Sequence, residues 1–386
     1  MLINLIIFNI FIVLLFNINS VGYCNSFGNV SKNVFKVTLG GSQDDFGKYI
    51  QQTKDGGYIV IGSTASKGAG EEDIWVIKLS EKGEVVGESI FGDSNHDSGN
   101  CIKQTEDGGY IIVGMKRKGY GSGSSIWIIK IDLSGKKEWE ETYKYQNYYA
   151  SSYYIEICKD GGYLISGSIE YAENKNLYRK LLILNLNRSG KKEWDYVFED
   201  SLSDYASNAQ QTMDNGYIVI GKKWIKSSAA LFVTKLNARK QKKWERTYGG
   251  DIRFGSDPGC FVQQTQNGEY IVAARKSIKK YLNIPWILKL DNTGHIIWEK
   301  KYSSEERASG GFLQLTKDGG YIFCDDIRIL KLDNAGQIEW ERKTKGYSSN
   351  CIIQTQDGGY ILTGIKYGDN TDLYIKKMDR NGLCIK

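Results

Sequence analysis

The sequence predicts an all-β fold, a seven-bladed propeller with four antiparallel strands per blade, on three observations. One phrase, "QTKDGGYIVIG" at 52–62, returns in seven near-copies anchored on Tyr58, Tyr110, Tyr163, Tyr217, Tyr270, Tyr321 and Tyr360. The gaps between anchors are 52, 53, 54, 53, 51 and 39 residues, and each repeat holds four apolar runs, the signature of blades rather than of separate domains. The composition agrees, with 44 Gly, 26 Tyr and 9 Trp but only 2 Pro, as suits tight hairpins and aromatic cores.

Repeat one shows the elements in order. "KYIQQT" (48–53) reads as the innermost strand, a, and "KDGG" (54–57) as a tight turn whose glycines supply positive φ. "YIVIG" (58–62) is strand b, apolar on successive residues and so buried on both faces. "DIWVIKL" (73–79) is strand c, "SEKG" (80–83) a second turn, and "EVVGESIFG" (84–92) strand d. Later d strands such as "KKEWEETY" and "HIIWEKKY" alternate apolar with charged residues, as an exposed outer edge should. The second turn recurs as "DLSG", "DNTG", "DNAG" and "DRNG", with Trp139, Trp194, Trp298 and Trp340 four residues after the turn glycine. A periodic Trp can be a sugar platform or inter-blade packing, and its regularity favours packing.

The two ends fit each other. The last repeat stops at Lys386, in the Trp phase of strand d, while Phe35–Gly41 matches Trp244–Gly250 in phase. The N-terminal strand is therefore expected to complete the last blade and close the ring, so that 23–386 form one domain.

The segment before it differs. Leu2–Phe16 is apolar except for Asn4 and Asn9. Fifteen helical residues reach about 22 Å, short of the roughly 30 Å hydrocarbon core. A secretory signal peptide over 1–22, cut before Tyr23, is the expectation, with an uncleaved anchor as the alternative. Lipidation at Cys24 is disfavoured by Tyr23 in front of it. A secreted, periplasmic or cell-surface location follows, with membrane attachment only if the segment is kept or lipidated. The seven cysteines form no CxxC pair, and Cys101 and Cys351 share one phase of the repeat, as buried small hydrophobes would. A single disulfide stays open in an exported chain.

The pattern "QTxDGGYI", then "W-x-IKL", then "D-x-x-G-x-x-x-W" resembles a propeller-repeat family of exported bacterial and archaeal proteins over about 34–386. It is more distantly similar to WD-repeat propellers and, through the Gly-to-Trp spacing, to pyrroloquinoline-quinone enzymes. The resemblance implies a fold and an extracytoplasmic home, not a reaction. The quinone enzymes carry a vicinal Cys pair, which this chain lacks, and no cofactor is expected.

Function is expected on the face carrying the b–c and d–a loops, which vary while the glycine turns do not. The b–c segments "MKRKGYGSGSS" (115–125), "SIEYAENKNLYRK" (168–180), "KKWIKSS" (222–228) and "RKSIKKYLN" (275–283) interleave cations with aromatics. The candidate ligand-binding residues are Arg117, Tyr120, Lys222, Trp224, Lys276 and Tyr281, facing an extracellular protein or an anionic glycan. Solvated Lys-rich loops are the plainer reading. A second recurring feature is an Asp eight residues before the repeat Thr: Asp45, Asp97, Asp204 and Asp257. These could be channel-mouth carboxylates of a polysaccharide hydrolase or lyase, or plain turn caps. A non-catalytic envelope scaffold is a third reading. The net charge of +6 is too dispersed for a nucleic-acid binder. His96 and His295 fall on opposite faces, and no nucleophile elbow or phosphate loop is present, so no metal site is expected and an enzyme is the less favoured reading, left open by the carboxylates. The chain is expected to be monomeric.

Overall fold

The computed structural model describes residues 22–23, 33–117, 119, 123–145, 148–173, 176–198, 206–225, 228–249, 261–279, 282–303 and 311–384. Among them there is no helix. Twenty-eight strands fall into antiparallel groups of four, an arrangement that fits seven blades, and the pair Gly22–Tyr23 adds a short outer strand. Six of the groups are meanders: in repeat one Asp45–Gln52 pairs with Tyr58–Thr64, then Asp73–Leu79, then Val85–Phe91. Strand a begins three residues earlier than its apolar run suggests, because a bulge between Gly47 and Tyr49 carries the ladder back to Asp45.

Burial follows the expected gradient. Strand b of repeat one is buried at every position, while strand d of repeat two alternates exposed with half-buried residues. The strand Phe35–Leu39 pairs antiparallel with Asp372–Met378, so the first long strand lies beside the last. Phe35 and Val37 are buried there, 1% and 4% exposed.

The repeated letters have definite jobs. The turn Asp55 accepts from Gly57 N at 3.1 Å and from the Thr53 hydroxyl, and Lys78 of strand c reaches both its oxygens at 2.9 and 2.8 Å. The same ion pair recurs as Lys130–Asp107, Lys235–Asp214, Lys331–Asp318 and Lys377–Asp357. In repeat five Asn267 stands in the Asp phase, and Lys289 turns to Glu269 instead, at 2.9 Å. Thus the Lys of "W-x-IKL" and the Asp of "DGG" are one device.

The two glutamines of "QQT" tie neighbours together. Gln51 Oε1 accepts from Gln104 N at 2.8 Å, and Gln104 Oε1 in return accepts from Lys54 N at 2.8 Å. Equivalent ties run from repeat four to five and from six to seven. Gln356 N donates to Gln52 Oε1 at 2.7 Å, joining the last repeat to the first.

The Trp column packs between repeats. Trp139, Trp194, Trp244, Trp298 and Trp340 each meet the leading Tyr of the next strand b, with ring centroids 5.0–6.4 Å apart. Phe35 stands in the same relation to Tyr58, at 5.9 Å. Cys101 and Cys351 are fully buried and aim Sγ at the carbonyls of Ile155 and Ile50 in the following repeats. Both, with Cys158, Cys324 and Cys384, form no disulfide among the described residues. Cys24 and Cys260 lie outside the described residues.

Candidate functional site

Where they are described, the b–c segments of repeats three, four and five are strand rather than loop, contrary to expectation. Strand b runs to 11, 9 and 10 residues in these repeats, against 7 in repeat one and 4 in repeat six. Pairing continues to Glu173↔Asn176, Ile225↔Ser228 and Lys279↔Leu282. Lys and Glu hid these strands from a hydropathy reading, but cross-strand pairing stabilises such ribbons. In repeat three Tyr171 lies opposite Tyr178, the rings stacked at 5.4 Å, and Tyr148 joins them at 4.8 Å. Lys180 sits over the Tyr171 ring at 5.5 Å, and Arg179 pairs with Glu170.

Of the six candidate binding residues, Arg117, Lys222 and Lys276 have described side chains. Lys222 is buried in strand b, 3% exposed. Lys276 lies over the Trp286 ring at 4.9 Å, as Lys116 does over Trp127 at 4.2 Å and Lys67 over Trp75 at 4.3 Å. Lys116 also pairs with Asp93 at 3.5 Å, and Lys223 with Glu245 at 3.0 Å. Arg117 is half-buried at the end of its strand, its backbone N donating to Asp97. Tyr120 and Tyr281, and the side chain of Trp224, lie outside what is described. The described cations are thus largely engaged on their own blades rather than gathered into one groove.

Asp45 and Asp97 open their a strands fully buried. Asp45 Oδ2 accepts from Gly41 N at 3.0 Å and the Ser66 hydroxyl at 2.8 Å. Asp97 accepts from Asp93 N at 3.0 Å and Arg117 N at 3.1 Å. Each fastens the preceding turn to the strand, and neither presents an exposed acid. Burial raises the Asp97 carboxyl above its ordinary range. Asp204 and Asp257 lie outside the described residues. His96 pairs with Glu72 at 3.1 Å, and His295 sits in its own turn beside Thr293. Among the described residues no group of three or more His, Cys, Asp or Glu could hold a metal ion.

A second concavity escaped the sequence reading. A cavity of about 300 Å³ lies among the a strands, lined by Tyr49, Gln51, Lys103, Gln104, Tyr154, Glu156, Ile157, Gln210, Phe261, Gln263, Phe312 and Gln314. Tyr49, Tyr154, Phe261 and Phe312 form a cycle of ring contacts at 4.8–6.0 Å, an aromatic floor contributed by four repeats. Lys103 donates to both Tyr49 and Tyr154 hydroxyls. Burial works to lower its ammonium pKa, but the surrounding Tyr154, Cys101 and Glu156 prevail and raise it, so it stays charged. Burial pushes Glu156 up to about 7, against the pull of Lys103 and a bond from Gln210. The signal was present in one column. Two residues before the repeat Thr the seven copies read Gln51, Lys103, Glu156, Gln210, Gln263, Gln314 and Ile353, two adjacent charges among amides.

No protein-family model matches the chain, and neither does any curated protein. Solved structures do. Extracellular domains 1–2 of Drosophila Semaphorin 1b match at 8% identity over 89% of this chain and 86% of that one, with a TM-score of 0.50. The WD40 domain of Neurospora crassa Pan2 matches at 10% identity over 88% and 91%, TM-score 0.53. BBS1N, solved in complex with ARL6DN, matches at 10% over 90% and 96%, TM-score 0.53. At such identity the likeness shows the fold alone, a β-propeller.

Proposed function

We propose that the chain is an exported, closed, seven-bladed propeller that serves as an interaction module, docking an extracellular protein or an anionic glycan on the hairpins of repeats three to five. The observation that carries this is the outgrowth of three successive b–c ribbons, one bearing the stacked Tyr171 and Tyr178 with Lys180, and with Tyr148 from the preceding connection set against Tyr171. Rigid ribbons carrying amphipathic aromatic faces lose little conformational entropy on docking, and Tyr is enriched where partners bind. Trp224, Tyr120 and Tyr281 belong to the same end of the blades by sequence. The solved neighbours are consistent with such a role, since BBS1N was captured with a protein partner. Closure is supported by the pairing of Phe35–Leu39 with Asp372–Met378 and by the bond from Gln356 to Gln52. Residues 1–22 serve in this reading as a secretory signal, and the mature protein is a monomer of the exported repeat family named above.

The test is capture of partners and glycans from extracellular material by the wild type and by a Tyr171→Ala/Tyr178→Ala variant, with folding monitored by thermal unfolding. Loss of binding at least tenfold in the folded variant supports the ribbon face. Undiminished capture by that variant removes it. A mature N-terminus beginning at Tyr23, read by mass spectrometry, supports export; an intact Met1 counts against it.

A further inference from the structure

The cavity among the a strands has a one-sided hydrogen-bonding chemistry. Gln51, Gln210, Gln263 and Gln314 each commit Oε1 to a backbone N–H of the next repeat, at 2.7–3.1 Å. A backbone N–H can only donate, so the orientation of each amide is fixed and its NH₂ group is what remains for the cavity. Nε2 of Gln51, Gln263 and Gln314 makes no hydrogen bond among the described residues, while Gln210 bonds Glu156. Lys103 adds an ammonium, with the Tyr49 and Tyr154 hydroxyls taking two of its protons. Facing these donors there is one carboxyl among the described lining residues, Glu156. A cavity lined by a fixed cation and fixed amide donors, above an aromatic floor, suits a compact ligand rich in acceptor oxygens.

We propose that this cavity is a binding site for a small organic anion bearing carboxylate or phosphate oxygens, held by Lys103 and the amide groups of Gln51, Gln263 and Gln314, with Glu156 as the gate. At roughly 30 Å³ per water, the cavity has room for about ten waters, the bulk of a di- or tricarboxylate. Ionised Glu156 opposes a second negative charge across the cavity; protonated, it becomes a donor and adds to the set. The groups that face it are Lys103 from repeat two, Gln210 from repeat four, and Tyr154, Cys101 and Cys158, all uncharged at neutral pH except Lys103. Binding therefore strengthens as the pH falls through neutrality.

The experiment is calorimetric titration with citrate, succinate and inorganic phosphate at about pH 6 and about pH 8, the two sides of the Glu156 transition. Lys103→Gln and Glu156→Gln install the residue that four other repeats carry in this column, so both fit the existing backbone ties. The wild type is expected to bind at least one anion, more tightly by about tenfold at the lower pH. Lys103→Gln should weaken binding at least tenfold at both pH values. Glu156→Gln should lose the wild type's preference for the lower pH, leaving only the dependence that the anion's own ionisation imposes, a readout independent of whether the Lys103 variant folds. Citrate without phosphate marks a carboxylate site, and the reverse a phosphate site. Equal binding by wild type and Lys103→Gln, absence of binding by all three anions at millimolar concentration, or a pH dependence unchanged in Glu156→Gln overturns the proposal.

Discussion

Lys377 is wholly buried, and its ammonium meets both oxygens of Asp357 at 3.0 and 2.9 Å. Removing the acid alone leaves a charge with nowhere to go, whereas removing the lysine leaves a carboxylate that can turn to water. Asp357→Ala is therefore expected to destabilise by about 3–5 kcal/mol, and Lys377→Met by much less, with Lys377→Met added to Asp357→Ala restoring stability. Urea unfolding measures this, and a reversed order would contradict the account. The same turns set the acid limit. Burial works to raise Asp55 and Asp318, but bonds from Lys78 and Thr53, or Thr316 and Lys331, outweigh it and hold both carboxyls at about 2. The unfolded chain binds these protons near the ordinary 3.8. Their stabilisation is thus complete above about pH 4 and is lost as the pH falls toward 2. Melting temperature should decline through that window, and Asp318→Asn should flatten the decline. These pairings were only half legible in the sequence: the recurrence of "IKL" and "DGG" was visible, but that Lys and Asp meet requires knowing that strand c lies over the a–b turn.

A turn glycine can be needed for its backbone alone or for the space beside it, and the two kinds of turn separate these cases. Gly319 has φ near +80° with nothing within 4 Å of where a Cβ would stand, while at Gly336, φ +74°, a Cβ would come within 2.8 Å of the Trp298 ring of the preceding repeat. Gly319→Ala should cost about 1 kcal/mol, the left-handed backbone penalty. Gly336→Ala should cost about 2–4 kcal/mol, since overpacking against the indole adds to it. Shortening the neighbour, as Trp298→Leu, should make Gly336→Ala less harmful than it is alone, and additive effects in that double-mutant cycle would refute the wedge. Asn215 and Lys240 stand in these two phases of repeat four with φ of 58° and 64°, so the fold tolerates the penalty singly. Strands and turns were readable because period and glycine spacing write them directly. The long ribbons of repeats three to five were not, because "SIEYAENKNLYRK" gains its order from pairs such as Tyr171 with Tyr178 across the hairpin, which spacing along one strand cannot reveal. The cavity was missed for a similar reason. Lys103 and Glu156 are ordinary letters in their own strands and become neighbours only when the a strands gather.

At the scale of the whole molecule the chain ends carry the argument. The strand Phe35–Leu39 supplies the outer strand of the last sheet, with register Phe35↔Lys377 through Leu39↔Leu373. Its Phe35 occupies the Trp place, against Tyr58 of repeat one, and a Cβ at Gly83 would strike the Phe35 ring at 2.5 Å. One short strand therefore touches the last repeat through its backbone and the first through its side chains. The phase match that predicted this needed no packing information, which is why topology was the most legible property of the sequence. Burial of Phe35 and Val37 alone is worth about 3–6 kcal/mol. Deleting residues 23–41 also exposes the edge of Asp372–Met378, an open template for association. The truncated protein should lose at least that stability, unfold at lower urea, and self-associate in sedimentation, whereas adding 23–41 back as a separate peptide should restore part of the loss. If the truncation melts like the intact chain, the strand is an ornament and the closed ring is wrong. If it is destabilised and the peptide rescues it, the non-covalent join between the two ends is what holds the ring shut, and the donor-lined cavity at its centre should lose anion binding with the strand and regain it with the peptide.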